Sequence, residues 1–407
     1  MTKMDNGAGA IAIVLHDLPL GGSERIAVRL ANRWAALGRR VTLFCGTTEG
    51  PLAALIDAGI EVVQADPPIP RGKGSRKRLG RALAEWIAQR RPDVLFVPGN
   101  YHWPVLPEID RLPPALRPAV IAQIGTPLYR HGRSALAQIP YNLRTRRQFR
   151  RVDRAISLSP SMTRDADRVL WPSITHCIRL PALDDDDRPF APVEGRTILA
   201  AGRLVEEKGF DIALRAFARL GDPEARLVIL GEGPCRTALE ALAWELGVAD
   251  RVTLPGYVPD IRPWLEAARL FLLSSYYEGY AAVIVEALGA GRPVVSTACT
   301  PAAHELLAAG DCGGVAPIGD VEGLAAAVKT ALAQPAPDPF WLAQSVERYR
   351  LGPIAEAYLA EFDAVVAERA APNVVPISRA ARASATLAAG PATARPATRG
   401  SAWRRSA

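Results

Sequence analysis

Short apolar runs alternate with longer stretches of helical period along most of this chain. Ala10–Leu15 (AIAIVL) is apolar throughout, as a strand covered on both faces requires. Ser23–Leu37 then spaces apolar residues at helical intervals until Gly38 stops it. VTLF (41–44), EVVQ (61–64), DVLFV (93–97), AVIAQI (119–124) and AISLS (155–159) predict further strands, with helices near 51–58, 76–90 and 141–151. Strands alternating with helices predict a parallel, doubly wound sheet.

The pattern breaks at PALDDDDRPFAP (181–192), a Pro-rich acidic stretch that reads as a linker. The alternation then restarts with TILAAG (197–202), RLVILG (226–231), RVTLPG (251–256), LFLLSS (270–275) and RPVVST (292–297), separated by helices at 210–220, 235–247, 261–268, 281–290 and 321–333. The expected architecture is α/β, with two facing Rossmann-like domains over 1–183 and 193–350, a linker at 184–192 and an interdomain cleft. Ligands in such sheets sit beyond the C-terminal strand ends. After Pro335 a helical region interrupted by Gly352-Pro353 ends near Ala370, and 351–370 is expected to pack back on the first domain. The Ala/Arg-rich tail, 371–407, has little to bury and is expected to be disordered.

Composition narrows the class. With 407 residues, 49% apolar, the chain suits two ordinary domains. Its five cysteines are scattered with no CxxC pair and no histidine clustering, which argues against a disulfide framework or structural zinc and fits a reducing cytosol. No apolar run is long enough to span a bilayer, and Ala10–Leu15 is too short for a signal core. A cytoplasmic protein, peripheral at the inner face of the membrane, is the expectation.

Charge divides the chain. Residues 1–180 carry 27 Lys and Arg against 14 Asp and Glu, whereas 181–370 carry 16 against 28. No nucleic-acid reader motif or aromatic interleaving accompanies the arginine runs, so nucleic acid is not the expected partner. An anionic membrane surface or a phosphorylated acceptor suits RGKGSRKRLGR (71–81) and RTRRQFRR (144–151) better, and a merely solvated basic face is the alternative.

Three loops carry candidate chemistry. GGSER (21–25) joins the first strand to the first helix, where paired glycines and free helix N–H groups suit a diphosphate, or simply a turn with a serine cap. GRLVEEKG (202–209) holds the matching place in the second half, with Arg203 and Lys208 five residues apart as a guanidinium fork and a mobile point charge. YYEGYAAVIVEAL (276–288) puts Glu278 on a strand-to-helix loop and Glu286 inside the next helix. Those acids are a hydrolytic acid–base pair, a ligand-holding pair, or ordinary surface residues.

In their order and spacing these segments resemble the family-4 glycosyltransferases, most strongly over 200–330 and again at PLGGSERIAVRLANRWAALGRRVTLF (19–44). The resemblance implies the GT-B fold and transfer of a hexose-type sugar, with retention of configuration, from a UDP- or GDP-sugar to a glycan or lipid-linked acceptor. Cell-surface polysaccharide or glycolipid synthesis is the implied setting. The first domain would hold the acceptor. Arg203 and Lys208 would clamp the diphosphate in place of a metal ion, so no cofactor or metal is expected. Gly22 would let the facing loop close on that diphosphate. Glu286 would accept from the ribose hydroxyls. Glu278 would lie beside the transferred sugar with the backbone N–H groups of Gly279, Tyr280 and Ala281, and Gly256, Tyr257 and Val258 would line the base pocket. Tyr280 stands where phenylalanine is usual, and Ala281 where glycine or proline is common. The family's frequent histidine is missing near Ile124-Gly125, leaving His102 and His131 as acceptor-side substitutes. IRLPALD lacks the asparagine usual before the linker. A nucleotide-sugar epimerase of the same fold and a non-catalytic nucleotide-sugar binder are the rival readings.

Overall fold

The computed structural model describes residues 7–19, 21–128, 134–171, 174–307 and 312–371. Two wholly parallel sheets organise them. The first has seven strands, β1 (Ala10–Leu15), β2 (Arg40–Cys45), β3 (Glu61–Gln64), β4 (Val94–Val97), β5 (Ala119–Ile124), β6 (Arg154–Ser157) and β7 (Thr175–Cys177), ordered β3-β2-β1-β4-β5-β6-β7. The second has six, β8 (Thr197–Ala201), β9 (Arg226–Leu230), β10 (Val252–Gly256), β11 (Leu270–Leu273), β12 (Val294–Thr297) and β13 (Gly313–Ala316), ordered β10-β9-β8-β11-β12-β13. In both, the chain reverses its direction of travel after the third strand, making a switch point between β1 and β4 and another between β8 and β11.

Alternate strand residues feed opposite faces of the first sheet. Ala12, Val14, Leu95 and Val97 pack with the helix Ser75–Arg90, whereas Ile11, Ile13, Val94 and Phe96 face the helix Gly22–Ala36 and the C-terminal helix Leu351–Ala370. Trp34 joins those two helices: its ring lies 5.5 Å from Phe96 and 5.0 Å from Phe362, and its indole N–H donates to the Ala355 carbonyl at 3.0 Å. Residues 351–370 therefore complete the core of the first sheet although they follow the second in sequence.

Several elements differ from expectation. The stretch near 51–58 makes only a short 3-10 turn, Pro51–Leu55. The helix expected at 141–151 runs from Ala135 to Gln148 with Pro140 inside it, on the solvent side. Gly352-Pro353 opens the last helix instead of interrupting it, because a first-turn proline lacks an N–H that would have no partner anyway. Residues 372–407 lie outside the described residues, so the expectation for the tail is not addressed.

Candidate active site at the two switch points

The loop after β8 is locked against the loop after β11. Gly209 has φ +59°, and a Cβ there would stand 2.2 Å from the Ser274 carbonyl oxygen, so only glycine fits. The Ser274 hydroxyl donates to the Lys208 carbonyl (3.2 Å), and the Tyr276 N–H donates to the Glu207 carbonyl (2.9 Å). These bonds aim Lys208 at Glu278. Its ammonium contacts both carboxylate oxygens at 2.7 and 2.9 Å, and the Ser275 hydroxyl adds a third bond at 2.7 Å. Both side chains are mostly buried, so solvent screens this pair little. Arg203 instead points to solvent with its side chain 69% exposed, paired with Glu207 at 3.0 Å. It is free to turn toward an anion at small cost.

Glu286 differs from Glu278. It sits in the helix Ala282–Gly289, half-buried, and its carboxylate has no hydrogen-bond partner among the described residues. Burial raises its pKa, an effect opposed by Arg25 and Arg29 across the cleft on the first-domain helix. The N–H groups of Gly279, Tyr280 and Ala281, just before that helix, also find no acceptor among the described residues. Ala281 holds φ +63°, a left-handed conformation that costs an alanine about 1 kcal/mol or more. The Tyr280 side chain turns away from the cleft into the core, and its hydroxyl donates to that of Tyr349 at 2.9 Å. The extra hydroxyl at this position is thereby satisfied.

The first sheet supplies the opposing wall. A Cβ on Gly279 would stand 2.5 Å from the Gly125 carbonyl, so the two switch points touch there. Asn100, after β4, fastens the Gly125 loop by accepting from the Gly125 N–H (2.8 Å) and donating to the Thr126 hydroxyl (2.7 Å). Among the described residues nothing lies within 4 Å of where a Gly22 Cβ would be, whereas Gly21 lies under the folded-back Glu24 carboxylate. Of the paired glycines, Gly22 is thus the one beneath open space.

Gly256, with φ +99°, ends β10 beside Glu232, a Cβ there meeting the Glu232 carboxylate at 2.8 Å. Tyr257 is exposed and Val258 half-buried.

His102 does not serve the acceptor side. It is fully buried; its Nδ1–H donates to the Pro98 carbonyl at 2.7 Å, and its Nε2 accepts from the His16 N–H at 3.2 Å. Both nitrogens are spent, and burial pushes its pKa down to about 4, so it is a neutral structural residue. His131 lies outside the described residues. Polar groups overlooked in the sequence gather around His16 instead. Tyr101 donates to its Nδ1 (3.3 Å), Arg71 stacks 4.5 Å above the Tyr101 ring, and Arg71 grips Asp17 with two 2.6 Å bonds. Asn100, Thr126 and Tyr349 were equally unmarked, since each matters through a partner distant in sequence, and Ser275 was unmarked although its partner Glu278 is only three residues away.

Residues 195–334 match the family model described as glycosyl transferases group 1, and residues 20–176 match that of glycosyltransferase family 4. The chain belongs to this glycosyltransferase family. Among curated relatives, the lipopolysaccharide core biosynthesis glycosyltransferase LpsE of Rhizobium meliloti is 39% identical over 142 residues, 35% of this chain and 41% of its own length. The match therefore spans well under half of that relative. Among solved structures, sucrose-phosphate synthase from Thermosynechococcus elongatus superposes with TM-score 0.72 at 20% identity, over 88% of this chain and 99% of its own. The Anabaena HepE protein in complex with UDP gives 0.70 at 17%, over 87% and 100%. At such identities the structural likeness speaks for the fold alone, and the fold is GT-B, two Rossmann-like domains about a cleft.

Proposed function

We propose that the chain transfers a hexose-type sugar, with retention of configuration, from a UDP- or GDP-sugar to a glycan or lipid-linked acceptor in cell-surface polysaccharide or glycolipid synthesis. The observation that carries this reading is the Glu286 carboxylate, without a hydrogen-bond partner among the described residues, on the helix that follows the Gly279–Ala281 N–H groups and faces Arg25 and Arg29. A carboxylate left without a bond at half burial is costly unless a ligand supplies hydroxyls to it. A ribose does so, and its diphosphate then reaches toward Arg203, Lys208 and the open space above Gly22.

Lys208 has a second role in this scheme. Bound to Glu278, it holds that carboxylate in place; as the nucleoside diphosphate leaves, its ammonium and the Arg203 guanidinium take up the developing charge without a metal ion. Glu278 and the Gly279–Ala281 N–H groups then face the sugar. Support for the acceptor class comes from relatives such as the lipopolysaccharide core enzyme LpsE, and for the donor from neighbours solved with UDP and UDP-glucose.

A thermal-shift screen against nucleoside diphosphates tests the donor site, since a ligand that binds only the native state raises the melting temperature. Incubation with a nucleotide sugar, with and without a lipid-linked or glycan acceptor, tests the reaction. Turnover that needs the acceptor supports transfer. Turnover without it indicates an epimerase, and diphosphate binding with no turnover indicates a binder; either result overturns the proposal.

A further inference from the structure

The helix Ala135–Gln148 is inverted. Its covered side carries Gln138 and Thr145, while Leu136, Ile139 and Leu143 stand 79%, 51% and 60% exposed on the outside. At 3.6 residues per turn the three aliphatic side chains fall within about 60° of arc, so they form one stripe. The covered side is polar, and its Gln138 ties the helix to the segment before it, while its other bonds stay within the helix. The Gln138 amide donates to the Leu128 carbonyl (3.2 Å) and to the Asn142 side chain (2.8 Å), and the Thr145 hydroxyl donates to the Tyr141 carbonyl (2.9 Å). An ordinary surface helix shows the reverse arrangement.

The stripe continues into positive charge. Arg144 and Arg147 follow it on the exposed side with no ion pair among the described residues, and Arg150 and Arg151 come next, sharing the single acid Asp110 at 3.5 and 4.0 Å. Arg147, Arg150 and Arg111 line a groove of about 320 Å³ with Pro107 and Asp110. Exposed aliphatic side chains ending in clustered arginines match the interface of an anionic bilayer, with acyl chains for the one and headgroups for the other. A second copy of the chain fits poorly, because it would set arginine against arginine.

We propose that the outer face of the helix Ala135–Gln148 docks on an anionic membrane, inserting Leu136, Ile139 and Leu143 and setting Arg144, Arg147 and Arg150 on phosphate headgroups. The helix follows the Gly125–Thr126 loop that meets Gly279, so a docked molecule presents its cleft near the lipid surface. The assignment of the acceptor as lipid-linked rests on the function proposed above; the docking itself does not.

Co-sedimentation of the full chain with phosphatidylcholine vesicles, with and without phosphatidylglycerol, tests the proposal. Wild type is expected to partition to the anionic vesicles, less so at high salt. The Leu136→Asp/Leu143→Asp variant is expected to lose about tenfold or more of this partitioning at every salt concentration. Arg144→Gln/Arg147→Gln is expected to lose about tenfold of the preference for anionic over neutral vesicles. Unchanged melting temperature and nucleoside diphosphate affinity in both variants would show that fold and donor site are intact. Wild type failing to sediment with anionic vesicles, or the leucine variant sedimenting like wild type, overturns the proposal. Self-association abolished by the leucine variant, without vesicle binding, overturns it in favour of a second copy.

Discussion

The two sheets share one strand order through their first four strands and one placement of a glycine loop after the first strand, yet they spend their polar groups differently. Beyond β1 and β4, His16, His102, Tyr101, Arg71, Asp17 and Glu24 bind one another. Beyond β8 and β11, the Lys208–Glu278 pair is closed, but Arg203 is solvated, and among the described residues Glu286 has no hydrogen-bond partner and three successive N–H groups no acceptor. One topology thus makes a finished wall in the first domain and an unfinished one in the second. An unfinished wall is what a ligand completes.

The largest expected effect tests the finished wall. The drop in the His102 pKa from 6.5 to about 4 corresponds to about 3 kcal/mol. The folded state holds this ring neutral while the unfolded chain protonates it. Stability should therefore be fully present above pH 6.5 and fall as pH drops from 6.5 toward 4, with His16, also lowered by burial, adding in the same direction. Urea titrations of wild type and His102→Gln across this range check it: the variant should show a clearly shallower dependence, and equal slopes would mean that His102 is not the neutral, buried group described.

In the second domain, Lys208→Ala should weaken nucleoside diphosphate binding by about 1.5–3 kcal/mol, the scale of a hydrogen bond to a charged group. Unchanged affinity in calorimetry would confine Lys208 to its pairing with Glu278. Tyr280→Phe removes a donor and leaves the Tyr349 hydroxyl buried without it, costing about 1 kcal/mol of stability with little change in diphosphate affinity. The Tyr280→Phe/Tyr349→Phe pair should recover most of that loss, and additive losses would contradict a simple hydroxyl pair. Smallest, Ala281→Gly should stabilise by about 0.5–1 kcal/mol by relieving a positive φ. A lower melting temperature would show that the left-handed conformation is not strained.

The same contrast explains what could be read from the sequence. GRLVEEKG and YYEGYAAVIVEAL are local: strand ends, glycines and charges fall within a dozen residues, so their placement beside β8 and β11 followed from pattern alone. The first-domain wall is assembled from His16, Arg71 and Tyr101, and no local pattern marks an ion pair between Asp17 and Arg71. Tyr349 lies 69 residues from Tyr280 and was equally silent. Two edge strands were missed for a related reason. Thr175–Cys177 (THC) and Gly313–Ala316 (GGVA) are short and poor in β-branched residues, and their sheets recruit them by backbone pairing. The helix expected near 141–151 begins six residues earlier, at Ala135, because Pro140 is carried inside it instead of bounding it.

Glu286 tests the central claim most directly. Its raised pKa means that the folded state disfavours the charge, so the ionised side chain weakens the native state as pH rises above the ordinary carboxylate range. Glu286→Gln should therefore be at least as stable as wild type at neutral pH, yet bind UDP or GDP more weakly by about 1.5–3 kcal/mol in calorimetric titration. Greater stability together with weaker nucleotide binding is the result this account predicts. A variant that binds the nucleotide as tightly as wild type would contradict it and remove the ribose contact from the second switch point.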